Sequence, residues 1–224
     1  MRLVSFGCSL TYGAGLEDCF IPPDRPGIHP SKKSWPSLIA QELDIECVNQ
    51  SRIGSSNKEI WHNIISFDFK DHDLVFIMWT YPDRTCILHP KKDKSEQIGI
   101  WSENKKIFYK DFYSEYDAET MSKLFVSHAN YFLETKNIKV FNLVVDNRFK
   151  YIFKLNNRII DHIPVYIWTH ENQFPLSQDN NHGNEECHRE VARLIMDHVN
   201  IEHSIPKQKK LSLLKRFKRL LTNI

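Results

Sequence analysis

Arg2-Leu3-Val4-Ser5-Phe6-Gly7-Cys8-Ser9-Leu10-Thr11 reads as a strand that runs straight into a tight turn and a helix. Gly7 permits the sharp turn, Ser9 stands where the helix begins, and Gly13 and Gly15 keep the following loop open. A serine so placed carries its hydroxyl at the C-terminal edge of a sheet, where open α/β folds bind their ligands. The helix N-terminus adds partial positive charge beside it. The glycines fit neither of two phosphate-binding patterns. No Lys-Ser or Lys-Thr follows them at the P-loop offset, and Gly13-Ala14-Gly15 lacks the third glycine of a dinucleotide fingerprint.

Outward from this stretch, short apolar runs alternate with longer amphipathic ones, the pattern of a parallel sheet covered by helices. Residues 2–6, 45–49, 74–79, 140–145 and 165–169 read as five strands, and 35–43, 56–66, 118–135 and 184–198 as helices. In the last helix Cys187, Val191, Leu194, Ile195 and Val199 recur at helical spacing and form a core face. Residues 85–116 break the rhythm. Rich in Lys, Asp and aromatics, among them Trp101, Phe108, Tyr109, Phe112, Tyr113 and Tyr116, they predict an inserted hairpin or flap.

Composition sets the outer bounds. A chain of 224 residues with 41% hydrophobic content can bury one good core, and a mean hydropathy of −0.46 with a net charge of +2 describes a soluble protein. The charge is uneven, because seven of the 30 Lys and Arg lie in residues 204–224 with no acid among them. The body, residues 1–203, is therefore mildly acidic, which argues against nucleic acid as a partner. The boundary falls near Ser204-Ile205-Pro206. Beyond it Leu211, Leu214, Phe217, Leu221 and Ile224 recur every three or four residues, with lysines and arginines on the remaining arc. That is a basic amphipathic helix suited to packing on the acidic domain or lying on anionic lipid. No apolar run approaches the roughly 18–20 residues of a membrane span, and the early first strand argues against a cleavable signal peptide. Cys8, Cys19, Cys47, Cys86 and Cys187 are odd in number and lack any C-x-x-C pair. They fit a reducing compartment, so the expected location is cytoplasmic, with peripheral membrane contact through the tail.

Asp179-Asn180-Asn181-His182-Gly183-Asn184 is the second fragment with chemical meaning. A serine hydroxyl is a poor nucleophile until a base takes its proton. His182, in a polar loop ahead of a helix, can be that base, and Asp179 three residues earlier can turn back to hold its tautomer. The six-residue spacing from His182 to His188 does not put two metal ligands on one helical face, so His188 reads as structural or substrate-side.

Gly7-Cys8-Ser9-Leu10-Thr11 resembles the first block of the SGNH (GDSL-type) hydrolases, with Cys8 where aspartate is usual. The second fragment is similar to their last block, with Gly183 where proline is common, and Asn49-Gln50-Ser51-Arg52-Ile53-Gly54-Ser55-Ser56 is similar to their second. The resemblance spans residues 1–200 in the family's order. It implies a flavodoxin-like three-layer α/β/α sandwich with a parallel five-stranded sheet. It implies a serine esterase or carbohydrate-ester deacylase, with a small-molecule or carbohydrate ester as substrate, working through an acyl-enzyme with no metal and no cofactor. Ser9 would be nucleophile, His182 base, Asp179 its orienter, and Gly54 an oxyanion donor beside the Ser9 N–H.

One block departs. Where the family places Gly-x-Asn-Asp after the third strand, this chain has Thr80, Tyr81, Pro82 and Asp83, and Pro82 offers neither a side-chain donor nor an N–H. Thr80, Arg84 or Asn57 could substitute, and charged Arg84 would be the strongest donor. The departure leaves two other classes open: a catalytically weak scaffold that binds a glycan or partner, and an O-acyltransferase that reuses the same acyl-enzyme.

Overall fold

A computed structural model describes residues 1–23, 25–89, 95–101, 105–146, 149, 151 and 174–198. In chain order its elements are β1 (Arg2–Phe6), α1 (Ser9–Tyr12), β2 (Phe20–Ile21), β3 (Arg25–Pro26), α2 (Trp35–Glu42), β4 (Glu46–Asn49), α3 (Asn57–Ile65), β5 (Leu74–Trp79), β6 (Thr85–Ile87), β7 (Glu96–Ile98), α4 (Glu115–Thr135), β8 (Lys139–Val144) and α5 (Glu185–His198).

β5 explains the layering. All six of its residues are buried, and the two-residue period of a strand sends Leu74, Phe76 and Met78 into one core and Val75, Ile77 and Trp79 into the other. A strand apolar on both faces needs a covering layer on each. Trp35 and Ile39 of α2 with Val191 and Ile195 of α5 supply the first. Ile60 and Ile64 of α3 with Val126, Ala129 and Leu133 of α4 supply the second. Polar side chains of β5, β8 and α4 are tied together inside: the Trp79 indole N–H donates to Asn142 Oδ1 at 2.9 Å, and the Asn142 amide donates to Asn130 Oδ1 at 2.8 Å.

The main sheet is parallel, in the order β4-β1-β5-β8. The chain winds outward first to one side of β1 and then to the other, so the topological switch point lies between β1 and β5. Four strands are described, and the fifth expected at 165–169 lies outside the described residues, as does the 204–224 tail. The inserted segment opens with the expected hairpin, β6 against β7. It closes earlier than 116, because Ser114 caps α4 by accepting from the Asp117 N–H at 3.3 Å, and Glu115 and Asp117 suit the first turn. Among the described residues no helix is long and apolar enough to cross a membrane.

Phe76 stacks on Phe141 with centroids 5.1 Å apart and meets Trp35 edge-on at 6.1 Å, with no exposed surface. Phe76→Ala should therefore cost about 3–5 kcal/mol in urea unfolding, with the midpoint falling and the slope unchanged. A loss below about 1 kcal/mol would contradict the central position of β5.

Candidate active site

The serine turn is built by close packing more than by backbone freedom. Gly7 does not adopt a positive φ. What it provides is room, because a Cβ there would lie 2.2 Å from Thr11 Oγ1. Cys8 is extended at the N-cap, and its carbonyl accepts from the N–H groups of Thr11 and Tyr12, both at 3.0 Å. Ser9 follows as the first residue of α1, 8% exposed. With four residues, α1 supplies far less dipole than a helix of ordinary length.

The loop that carries Asp179 and His182 is tied back onto this turn. Asp179 Oδ2 lies 2.6 Å from His182 Nδ1, while Oδ1 accepts from Ser177 Oγ at 2.8 Å and from the Asn181 and His182 N–H groups at 3.0 Å each. Burial alone would raise the Asp179 carboxyl, but the His182 hydrogen bond and charge, the Asn181 N–H and Ser177 outweigh it and hold it well below the ordinary carboxylate range. Gly15, at φ +81°, presses against this carboxylate so closely that a Cβ would sit 2.5 Å from Asp179 Cγ. Its carbonyl accepts from the Gln178 N–H at 3.1 Å. The loop after the serine and the loop before the histidine are thus one packed unit.

Ser9, Arg84 and His182 line a single cavity of about 570 Å³ together with Tyr81, Trp101 and Tyr113. No hydrogen bond joins Ser9 to His182 among the described residues. The Arg84 guanidinium lies 4.7 Å from the centroids of both Tyr81 and Trp101, with Nη1 donating to Thr80 Oγ1 at 3.0 Å. Arg84 makes no ion pair with neighbouring Asp83 among the described residues. Thr80 is buried behind the arginine and steadies it. Asn57 is not free to act as a donor: its amide donates to the Thr80 carbonyl at 3.0 Å and to Ser122 Oγ at 3.1 Å, and its Oδ1 accepts from the Thr80 N–H at 2.8 Å. Gly54 (φ +76°) lies beside Trp101 and Gln97 and is not part of the cavity wall.

Two features of the surroundings are absent from the sequence expectations. Glu59, 1% exposed, accepts from Arg52 Nη1 and Ser55 Oγ, both at 2.7 Å, and from Ser95 and Gln97 of the hairpin. One carboxylate therefore fastens the inserted segment to the loop that carries Gly54. The only sequence signal was Ser56-x-x-Glu59, a helix-start pattern, and Ser56 Oγ does accept from the Glu59 N–H at 3.3 Å. Ser177, which steadies Asp179, had no signal. His188 is resolved in favour of structure: its Nδ1 accepts the Trp35 N–H at 3.1 Å, joining α5 to the start of α2.

No family model and no curated protein matches the sequence. Solved structures do. A G-D-S-L family lipolytic protein from Desulfitobacterium hafniense DCB-2 is 14% identical with a TM-score of 0.54, over 88% of this chain and 98% of that one. The protein TesA is 12% identical with a TM-score of 0.51, over 92% and 100%. An acetylxylan esterase from Geobacillus stearothermophilus is 16% identical with a TM-score of 0.51, over 88% and 92%. At such identities the likeness is one of fold, and the fold is one that GDSL lipolytic proteins and esterases use.

Burial, with a smaller contribution from nearby His182, pushes His188 down to about 4. The folded protein keeps it neutral, whereas the unfolded chain protonates it below about 6.5. Stability from this group is therefore complete above pH 6.5 and is lost as pH falls toward 4, by up to about 3 kcal/mol. His188→Asn, whose Oδ1 can accept where Nδ1 does, should flatten that portion of the curve in urea titrations between pH 4 and 7. Parallel curves for the two proteins would show that His188 is not neutral in the fold.

Proposed function

We propose that the protein is a serine ester hydrolase acting through an acyl-enzyme on small or carbohydrate-linked esters. The observation that carries this reading is the meeting, at one cavity, of a serine turn with a histidine whose Nδ1 is held by a carboxylate 2.6 Å away. Asp179 fixes the tautomer with hydrogen on Nδ1, which leaves Nε2 as the base. Nε2 takes the Ser9 proton as Oγ attacks the ester carbonyl, and returns it to the departing alcohol. A water deprotonated by the same nitrogen then releases the acid. Catalytic hydrogen bonds commonly tighten only when substrate is bound, and in this reading the Ser9–His182 bond forms at that stage.

Arg84 supplies the oxyanion donor that Pro82 cannot. A guanidinium that rests on two rings and is anchored on Thr80 loses little freedom when the oxyanion forms, and its charge strengthens each N–H it offers. The scaffold alternative draws on the proline in the asparagine position; it requires a protein inert to acylating probes.

A fluorophosphonate probe should label the wild type and not Ser9→Ala, and hydrolysis of p-nitrophenyl acetate should vanish in Ser9→Ala and His182→Ala. Asp179→Asn should be severely impaired, because an amide supports the wrong imidazole tautomer. Labelling that persists without Ser9 would remove the nucleophile from this scheme.

Arg84→Ala should lower kcat about tenfold or more with little change in KM, the signature of an interaction made only in the transition state. A loss confined to KM would instead assign Arg84 to ground-state binding.

A further inference from the structure

Asp83 stands between the main cavity and a second one of about 270 Å³, which also shares Pro82, Arg84 and Tyr113 with it. Its backbone is pinned, since the carbonyl accepts the Tyr109 hydroxyl at 2.8 Å. Its side chain is not: Oδ1 is buried and has no hydrogen-bond donor. Burial raises its carboxyl above the ordinary value, and neighbouring Arg84 and the residue's own backbone N–H only partly offset this. Arg84 does not donate to it: the guanidinium lies against Tyr81 and Trp101 and is directed at Thr80. An acceptor buried without a donor carries a desolvation cost that a native fold seldom leaves uncompensated, and here the missing donor can enter only through the cavities.

The chemistry of that donor is constrained on two sides. Arg84 in the same wall disfavours a cationic group, so a neutral O–H fits better than an ammonium. Around the mouth, Trp101 at 53% exposure and Tyr113 offer aromatic surface. A ligand that matches both has hydroxyl groups on a compact ring with apolar C–H faces. We infer that Asp83 determines specificity for the ester hydrolase proposed above: it accepts a hydroxyl of a carbohydrate alcohol that rests against Trp101, and so selects sugar esters over plain alkyl esters. The inference rests on that reading for its substrate class.

The test is a ratio. For kcat/KM on the monoacetate of a methyl pentopyranoside divided by that on cyclohexyl acetate, which has a ring of similar size without hydroxyls, the wild type should favour the sugar ester. Asp83→Ala should lower the ratio about tenfold or more, and Asp83→Asn, which keeps the shape and one acceptor, should lower it less. If Asp83→Ala fails to fold, Asp83→Asn carries the measurement. A second arm does not need turnover: in a Ser9→Ala background, tryptophan fluorescence titrated with the same monoacetate should give a Kd about tenfold higher without Asp83. A ratio and a Kd both unchanged within about twofold would overturn the inference and leave the hydrolase intact. A Kd that depends on Asp83 in a protein that hydrolyses neither ester would support the sugar site and overturn the hydrolase.

Discussion

Phe6 lies opposite Ile77 in the parallel pairing of β1 with β5, and the position of every site residue depends on that register. Two adjacent parallel strands that end together release their chains at the same edge, and at the switch point the two connections part to opposite faces and leave a crevice. One chain carries Ser9 three residues beyond Phe6; the other carries Thr80 through Arg84 directly beyond Trp79. The strand on the other side of β1 brings a third loop. Past β4, the Gln50 N–H still donates to Ser5 at 2.8 Å and the Arg52 N–H to Gly7 at 3.2 Å, which continues the ladder and lays the Gly54 loop beside the serine turn. The fourth component, His182, comes from far along the chain and is located by contact with Gly15.

The charges divide along the same line. Away from the cavity, buried carboxylates are saturated: Asp73 is held by Arg2 through Nε at 3.0 Å and Nη2 at 2.6 Å and by the Lys70 N–H at 2.9 Å, and Glu59 by Arg52, Ser55, Ser95 and Gln97. Such fully paired groups fix loops in place, and leaving one half-paired would be strongly destabilising. Asp179 is equally saturated, but one of its partners is the imidazole that faces the cavity. At the cavity wall, by contrast, the Asp83 carboxylate keeps an unpaired oxygen, Oδ1. Unspent capacity in a cavity wall is where a ligand is expected, because the ligand completes what the fold leaves open.

How far the sequence could reveal this follows from the range of the interactions. Strands 74–79 and 2–6 were legible because their burial is written in local residue types, and α5 because its apolar positions repeat along one face. The pairing of Asp179 with His182 was legible because both residues sit in one turn. Asn57 was misjudged as a donor because its partners, Thr80 and Ser122, lie 23 and 65 residues away. The same distance hid Glu59, whose hairpin partners are 36 and 38 residues away, and the contact of Gly15 with Asp179. The start of α4 was placed three residues late because aromatics suggested a flap where Ser114 in fact supplies a cap.

Pro82 is best understood together with Asn57. An asparagine at position 82 would bring its own donor to the oxyanion but would need its amide oriented by neighbours. Here the asparagine on α3 grips Thr80 through both its N–H and its carbonyl, and Pro82 fixes φ two residues on, so the chain leaving β5 is held rigidly without any side chain of its own. A rigid exit lets Arg84 be aimed from a short distance, with Thr80 Oγ1 as its rest and two rings as its guides. In the proposed reaction the neutral amide is thereby exchanged for a cation that must be kept from pairing elsewhere. The two rings do that: they attract the charge without consuming its N–H groups. The nearby carboxyl of Asp83, its Oδ1 buried and undonated, is then the counterpart that such an arrangement leaves for the substrate to satisfy.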